Sequence, residues 1–464
     1  MPILTYSFTN SKFFSMIKNI HIFESDPVPV AIAKLATPTI ASMLVTVIYN
    51  MVDTFFVGQM GDPNKVAAVS IATPVFLFLM AAGNIFGIGG STFISRALGE
   101  KQTEKIKHIS SFCFYAGILT GIIGGAFFIL GMPLILKMIG ASEATGPYAA
   151  EYLYSIAWGA PAVVLSTAFP NLVRGEGAAN NAMIGMMAGT VANIILDPIM
   201  ILGMNMGVRG AAIATVIGNV VSLVFFLVHA CGKKSMLSIK LSDFKVMEKI
   251  ALSVIAIGIP ASLNNVLMSL SNIVMNKFLA SYGDIQVASM GIAMKANMLV
   301  VFLQMGLAIG IQPLIGYSYG AKNFRRLKDV MKFSMICVLI IGTVMTAIYL
   351  AFTRNIVGIF IDNEQVIDTG CRMLRTLMIS GPVLGIMFVF NFSFQGMGKA
   401  GAALALSASR QGFVFLPMLF LGRAIAGQNG IIFAQPIADI ISIIIALIMF
   451  ISMNKEFKAI ESKA

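Results

Sequence analysis

Long apolar runs, each closed by a short polar stretch, recur from one end of this 464-residue chain to the other. A helix that crosses a bilayer needs about 20 mostly apolar residues. Runs of that length predict twelve spans: 31–58, 66–96, 109–136, 149–173, 180–202, 209–231, 250–278, 287–318, 331–353, 371–395, 401–422 and 430–452. No stretch resembles a soluble domain. The first twenty residues mix polar and aromatic positions (Lys12, Phe13, Phe14, Lys18) and lack the apolar core and cleavage site of a signal peptide. They predict a cytoplasmic arm or an interfacial helix. Composition agrees, at 58% hydrophobic residues and a mean hydropathy of +0.88. The fold class is therefore an all-α integral membrane protein.

The net charge of +12 changes the picture only through its distribution. Basic residues cluster in alternate loops: Arg96, Lys101, Lys105 and Lys107, then Lys233, Lys234, Lys240, Lys245 and Lys249, then Lys322, Arg325, Arg326, Lys328 and Lys332. The loops between carry isolated charges such as Lys65, Lys137, Arg209 and Lys277. This is the positive-inside pattern, and it predicts that both termini are cytoplasmic. A topogenic role accounts for the charge, so no nucleic-acid partner is expected. Cys113, Cys231, Cys337 and Cys371 are scattered, with no CxxC or metal-ligand spacing, and read as packing residues. His21, His108 and His229 lie at helix edges and form no cluster. Gly83, Gly87, Gly89 and Gly90 fall within a span, where they permit close packing or bending. No catalytic constellation, phosphate-cradling loop or nucleotide-binding motif is present, which predicts neither an enzyme nor a prosthetic cofactor.

The two halves align at an offset near 220. Residues 37–60 pair with 259–282, Pro38 falling on Pro260 and Gly61 on Gly283. Ala97-Leu98-Gly99-Glu100-Lys101 pairs with Ser318-Tyr319-Gly320-Ala321-Lys322, and Arg174-Gly175-Glu176-Gly177 with Gln395-Gly396-Met397-Gly398. Six spans per half put both halves in the membrane in the same sense, related by a pseudo-twofold axis along the membrane normal. The expected division is a cytoplasmic N-terminal arm 1–30, an N-lobe 31–231, a Lys-rich linker 232–249, a C-lobe 250–452 and a cytoplasmic tail 453–464.

Against this repeat, two ionisable residues stand out. Asp53 closes the apolar run 38–56, and Asp197 sits within 184–202. A lone carboxylate in hydrocarbon costs on the order of 3 kcal/mol, so it normally faces a wet cavity or a cation. The second half has Met275 opposite Asp53, apolar residues around Phe413–Met418 opposite Asn193 and Asp197, and Gln435 opposite Thr215. Polar residues that served only the fold would be needed in both halves. Their confinement to one half favours a site.

Helical spacing gathers them. Ser42, Thr46, Tyr49 and Asp53 share one face of the first span, and Thr190, Asn193 and Asp197 one face of the fifth. Pro198 removes a backbone hydrogen bond there and frees a carbonyl near Ile194. The sixth span adds Thr215, Asn219 and Ser222. Three polar stripes in one six-helix lobe can converge on an interior cavity of hard oxygen donors, suited to an alkali cation or a proton. Taken singly, Thr46, Thr190 and Ser222 read equally well as interhelical hydrogen-bonding residues.

On these residues the chain resembles the multidrug and toxic compound extrusion (MATE) transporters over essentially all of 25–455, and is most similar to the bacterial multidrug-exporter branch. The resemblance implies a cation site formed by Asp53, Asn193, Asp197 and Thr215, with Tyr49 beside the first aspartate. It also implies Na⁺ or H⁺ as coupling ion, drug-like small-molecule substrates and a monomer in the lipid bilayer. The family's acidic pattern in the seventh and eighth spans is missing here: the seventh offers Asn264, Asn265, Asn272 and Asn276. Asn272, Met275, Asn276 and Gln304 are the candidate substrate-cavity residues.

Two other charge groups read as structural. Asp439 in the twelfth span is expected to pair with Lys295 or Arg410, and Glu176 with its neighbour Arg174. The expected activity is secondary antiport, exporting amphipathic or cationic compounds against inward H⁺ or Na⁺ by alternating access. A lipid-linked oligosaccharide flippase is the alternative, but it would carry basic residues in its cavity. Two carboxylates brought together repel, so one keeps a proton unless a cation neutralises the pair, which would let Na⁺ and H⁺ compete for one place.

Overall fold

The computed structural model describes residues 20–245 and 248–461. Most of the expected N-terminal arm, and residues 462–464 of the tail, therefore lie outside the described residues. The spans are α1 (Val28–Gly58), α2 (Pro63–Gly99), α3 (Thr103–Leu130), α4 (Gly146–Trp158 with Ala160–Gly175), α5 (Ala179–Pro198, continued by a π turn Ile199–Gly203) and α6 (Gly207–Cys231). The second lobe repeats them as α7 (Glu248–Ala280), α8 (Asp284–Gly320), α9 (Phe324–Ala351) and α10 (Glu364–Leu377 with Gly381–Gly396). A helix Ala400–Ala408, a π turn Ser409–Phe413 and a long helix Phe415–Glu461 follow. Gly427, at φ 58°, breaks that long helix into the end of α11 (400–426) and α12 (428–461). The two bent pairs, at 61° and 51°, and the break at Gly427 complete twelve spans among the described residues. Several helices outrun their apolar cores: α3 starts at Thr103, ahead of the predicted 109, because Lys105 and Lys107 extend it beyond the hydrocarbon.

The repeat is present in the backbone itself. Left-handed φ values occur in matched pairs at Gly61 and Gly283, Lys101 and Lys322, Gly177 and Gly398, and Gly207 and Gly427. A turn that only a left-handed residue can close fixes the exit angle of each helix. The two lobes thus keep one geometry although their side chains differ.

The lobes meet through α1 on α8 and α2 on α7, and the approach is close enough to require glycine. A methyl group at Gly258 would stand 2.0 Å from the Ile85 carbonyl oxygen, and one at Gly89 2.1 Å from that of Val254. Contact is concentrated in the half of the membrane nearer the termini, where α8 is almost continuously buried from Gly306 to Ser318. Thr92 donates to the Gln395 carbonyl at 3.2 Å and Ser262 to the Ala81 carbonyl at 2.7 Å, both across the lobe boundary. On α1, burial is concentrated in Ala31–Ser42 and gives way to mostly exposed or half-buried residues toward Gly58. The lobes are thus packed together on the side of the termini, and α1 loses that cover toward Gly58. At the bend of α4 stands Trp158, 79% exposed, followed by Gly159 packed on Val216 of α6.

Candidate functional site

Helices α5 and α6 cross where Gly189 and Gly218 face each other. A methyl at Gly189 would lie 2.5 Å from the Gly218 carbonyl oxygen, and one at Gly218 2.8 Å from that of Gly189. This approach brings Asn193 and Asp197 of α5 beside Thr215 of α6. The Asn193 amide donates to the Thr215 hydroxyl at 3.5 Å, and that hydroxyl donates to the Ala211 carbonyl at 3.0 Å. Asn219 donates to the Thr215 carbonyl at 2.8 Å and accepts from Ser166 of α4 at 2.7 Å, which ties the α4 break to the same cluster.

Asp197 is fully buried and Asn193 nearly so. Neither carboxylate oxygen of Asp197, nor the amide oxygen of Asn193, receives a hydrogen bond from the described residues. Buried polar atoms are almost always satisfied. Three buried oxygens on one face of α5, all without a donor, suit a hard cation or a proton. Past Asp197, Pro198 and the π turn Ile199–Gly203 interrupt regular helix, as π turns often do at functional sites.

Asp53 on α1 is half-buried and close enough to Asp197 to act on it electrostatically. Tyr49, one turn back, lies within electrostatic range of both carboxylates. The structure therefore brings Tyr49, Asp53, Asn193, Asp197 and Thr215 together. It narrows the α1 stripe, because Ser42 and Thr46 donate to the carbonyls of Pro38 and Ser42 in their own helix. One neighbour was not anticipated: Tyr152 on the first half of α4 is buried within electrostatic range of Asp53 and Asp197. A single tyrosine near the start of an apolar span carries no pattern that would flag it.

The cavity candidates fare differently. Asn272 is half-buried and Asn276 exposed, but Met275 is buried among Phe278, Leu279 and Met290 in the second lobe's core. Gln304 is fully buried, and its amide donates to the Gly381 carbonyl at 2.9 Å, at the break in α10. Neither Met275 nor Gln304 offers surface to a cleft, because one is taken up by apolar packing and the other by a carbonyl at a helix break.

Glu176 is not paired with Arg174. It is fully buried and accepts from His229 at 2.6 Å, from Ser235 at 2.9 and 3.0 Å and from the Met236 backbone at 2.8 Å. His229 Nδ1 accepts from Asn181 at 2.8 Å, so Nε2 carries the proton given to Glu176. Arg174 turns instead to Asn171 at 2.6 Å. The expected partner of Asp439 is settled as Arg410, at 2.8 Å, and not Lys295.

The MatE family model matches residues 38–199 and 260–421, one copy in each lobe. Multidrug export protein MepA of Staphylococcus saprophyticus is 33% identical over 93% of this chain and 95% of its own length; that of Staphylococcus aureus is 33% identical with the same coverage. An outward-facing multidrug-resistance MATE transporter of the MOP superfamily superposes with a TM-score of 0.88 at 25% identity, over 96% of this chain and 99% of that one. Two copies of one family model, laid over two lobes that share a backbone, place this chain in the MatE family, the multidrug and toxic compound extrusion transporters.

Proposed function

We propose that this protein is a secondary active antiporter that exports amphipathic, often cationic, organic compounds in exchange for H⁺ or Na⁺. The lobes are 31–231 and 250–452, joined by the linker 232–249, with both termini in the cytoplasm and a monomer as the working unit. The observation that carries the proposal is the fully buried Asp197, whose two oxygens have no donor among the described residues, one helical turn from Asn193, which is itself bonded to Thr215. Burial of an anion needs a counter-ion or a proton. Asp53, Asp197, Asn193 and Thr215 hold that cation, with Tyr49 beside Asp53. The multidrug export proteins similar to this chain support drug-like cargo. The acidic pocket does not suit the pyrophosphate of a lipid-linked sugar, which disfavours the flippase.

In operation the lobes rock about the α1–α8 and α2–α7 contacts. Cation entry from the side away from the termini neutralises the Asp53–Asp197 pair, and drug binding competes with that neutralised state. Efflux of a cationic dye, measured in everted vesicles under separately imposed pH and Na⁺ gradients, tests this. Transport driven by either gradient supports it; transport that persists with both collapsed and follows ATP overturns it.

A further inference from the structure

The repeat places a second polar cluster in the C-lobe, one helical turn from the register of the first. Gln435 and Asp439 of α12 fall 220 residues after Thr215 and Asn219 of α6, and Arg410 falls 220 after Thr190 of α5. The packing confirms that register. In the N-lobe, a methyl at Gly189 would lie 2.8 Å from the Ser222 Cβ; in the C-lobe the counterparts Ser409 and Ser442 join hydroxyls at 3.1 Å.

What fills the two pockets differs. Asp439 is 2% exposed, yet both of its oxygens are satisfied. One receives Arg410 Nε at 2.8 Å and the Gln435 amide at 2.9 Å; the other receives the Ser380 hydroxyl at 2.8 Å. Arg410 lies in the π turn Ser409–Phe413, and its guanidinium sits 5.2 Å from the centre of the Phe388 ring. An aromatic face and a carboxylate together form a cation-binding environment.

We infer that the C-lobe contains a latent cation site, kept neutral by Arg410 as a tethered cation; Thr190 and Asn219, the N-lobe counterparts of Arg410 and Asp439, lie one helical turn from Asn193 and Thr215. The comparison rests on the N-lobe reading above; the site itself does not. A guanidinium fixed to the chain cannot exchange with a gradient. It neutralises Asp439 in every state of the cycle, and Ser380 carries that bracing to the break in α10. Only the N-lobe then answers to the coupling ion.

The test is made in an Asp197→Asn background, so that the N-lobe pocket contributes nothing. Thermal unfolding of purified Arg410→Ala protein is followed with millimolar methylguanidinium, Na⁺ or choline. The expected result is a lowered Tm that methylguanidinium restores for the most part, Na⁺ in part and choline not at all. Rescue should vanish in Arg410→Ala/Asp439→Asn. A loss that no small cation repairs, or equal rescue with and without Asp439, overturns the inference. If Arg410→Ala fails to fold, Arg410→Lys should be more stable than Arg410→Gln, since it keeps the charge, and equal stability overturns the inference. Failure of the N-lobe reading would show separately, as wild-type protein indifferent to Na⁺ and H⁺ gradients.

Discussion

Gly99 and Gly320 touch backbone to backbone where the ends of α2 and α8 cross, and the contact is reciprocal. A methyl on Gly99 would stand 2.2 Å from the Tyr317 carbonyl oxygen, and one on Gly320 2.3 Å from the Arg96 carbonyl oxygen. Both pairs, 99 with 320 and 96 with 317, are 221 apart in the chain. This explains the Gly-x-Lys turn in each half: glycine allows the crossing, and Lys101 and Lys322 close it at φ 59° and 56°.

Gly99→Val should therefore prevent closure on the side of the termini. Overpacking against backbone costs about 1–3 kcal/mol, enough to deplete the closed state roughly 5- to 150-fold. A cysteine replacing the buried Ser318, in a protein cleared of its native cysteines, should react faster with maleimide in this variant. Unchanged labelling would show that the crossing does not gate access.

Asp53→Asn should abolish dye export while expression and thermal stability stay near wild type, because the change removes a charge from a half-buried position without changing its shape. For the fully buried Asp197, the readout is binding. Na⁺ should raise the Tm of wild-type protein at neutral pH, less so as the pH falls, and not at all in Asp197→Asn. Robust export by Asp53→Asn, or Na⁺ stabilisation that survives Asp197→Asn, would remove these residues from the site.

Glu176 binds the end of α4 to α6 and to the linker at once. Deleting it in Glu176→Ala leaves three donors unsatisfied, at a cost of about 3 kcal/mol or more. Glu176→Gln, which keeps an acceptor, should lose less. Differential scanning of the two variants, with proteolysis of 232–245 as a local readout, checks the order.

Asp26, just ahead of α1, lies 2.7 Å from Lys34 and 3.0 Å from His21, and Lys34 holds its carboxyl below the ordinary value of 3.8. A carboxyl lowered by folding contributes stability that is complete above its unfolded value and is lost as the pH falls through the lower folded value. Lys34 is half exposed, so the effect is small, roughly 1–2 °C in Tm. Asp26→Asn should be less stable than wild type above about pH 4, with the two converging below it. A gap that stays constant into acid would be inconsistent with this pairing.

The sequence was most legible where it broke its own rule. Asp53 and Asp197 are charges in apolar runs, and the second half supplied a reference without them. Tyr152 broke no rule, since an amphipathic ring at a span's edge is ordinary. The Glu176 pairing failed for a geometric reason. Arg174 is two residues away, but Glu176 caps the helix end and reaches His229, 53 residues on, by a path no local spacing encodes. Arg410 and Lys295 were equivalent partners for Asp439 on paper; the π turn at Ser409–Phe413 decided between them by aiming one of them inward.

The bend in α4 has an optical consequence. Trp158 is the chain's single tryptophan, and it stands at that bend against Gly159, whose packing partner Val216 adjoins Thr215. Light absorbed at the red edge of the protein spectrum is therefore taken up at one known place, on the exposed face of the bend. If the α4 break opens or closes as the pocket behind it fills, the colour of that emission shifts. The unlabelled protein then carries its own reporter of the step that couples ion to cargo.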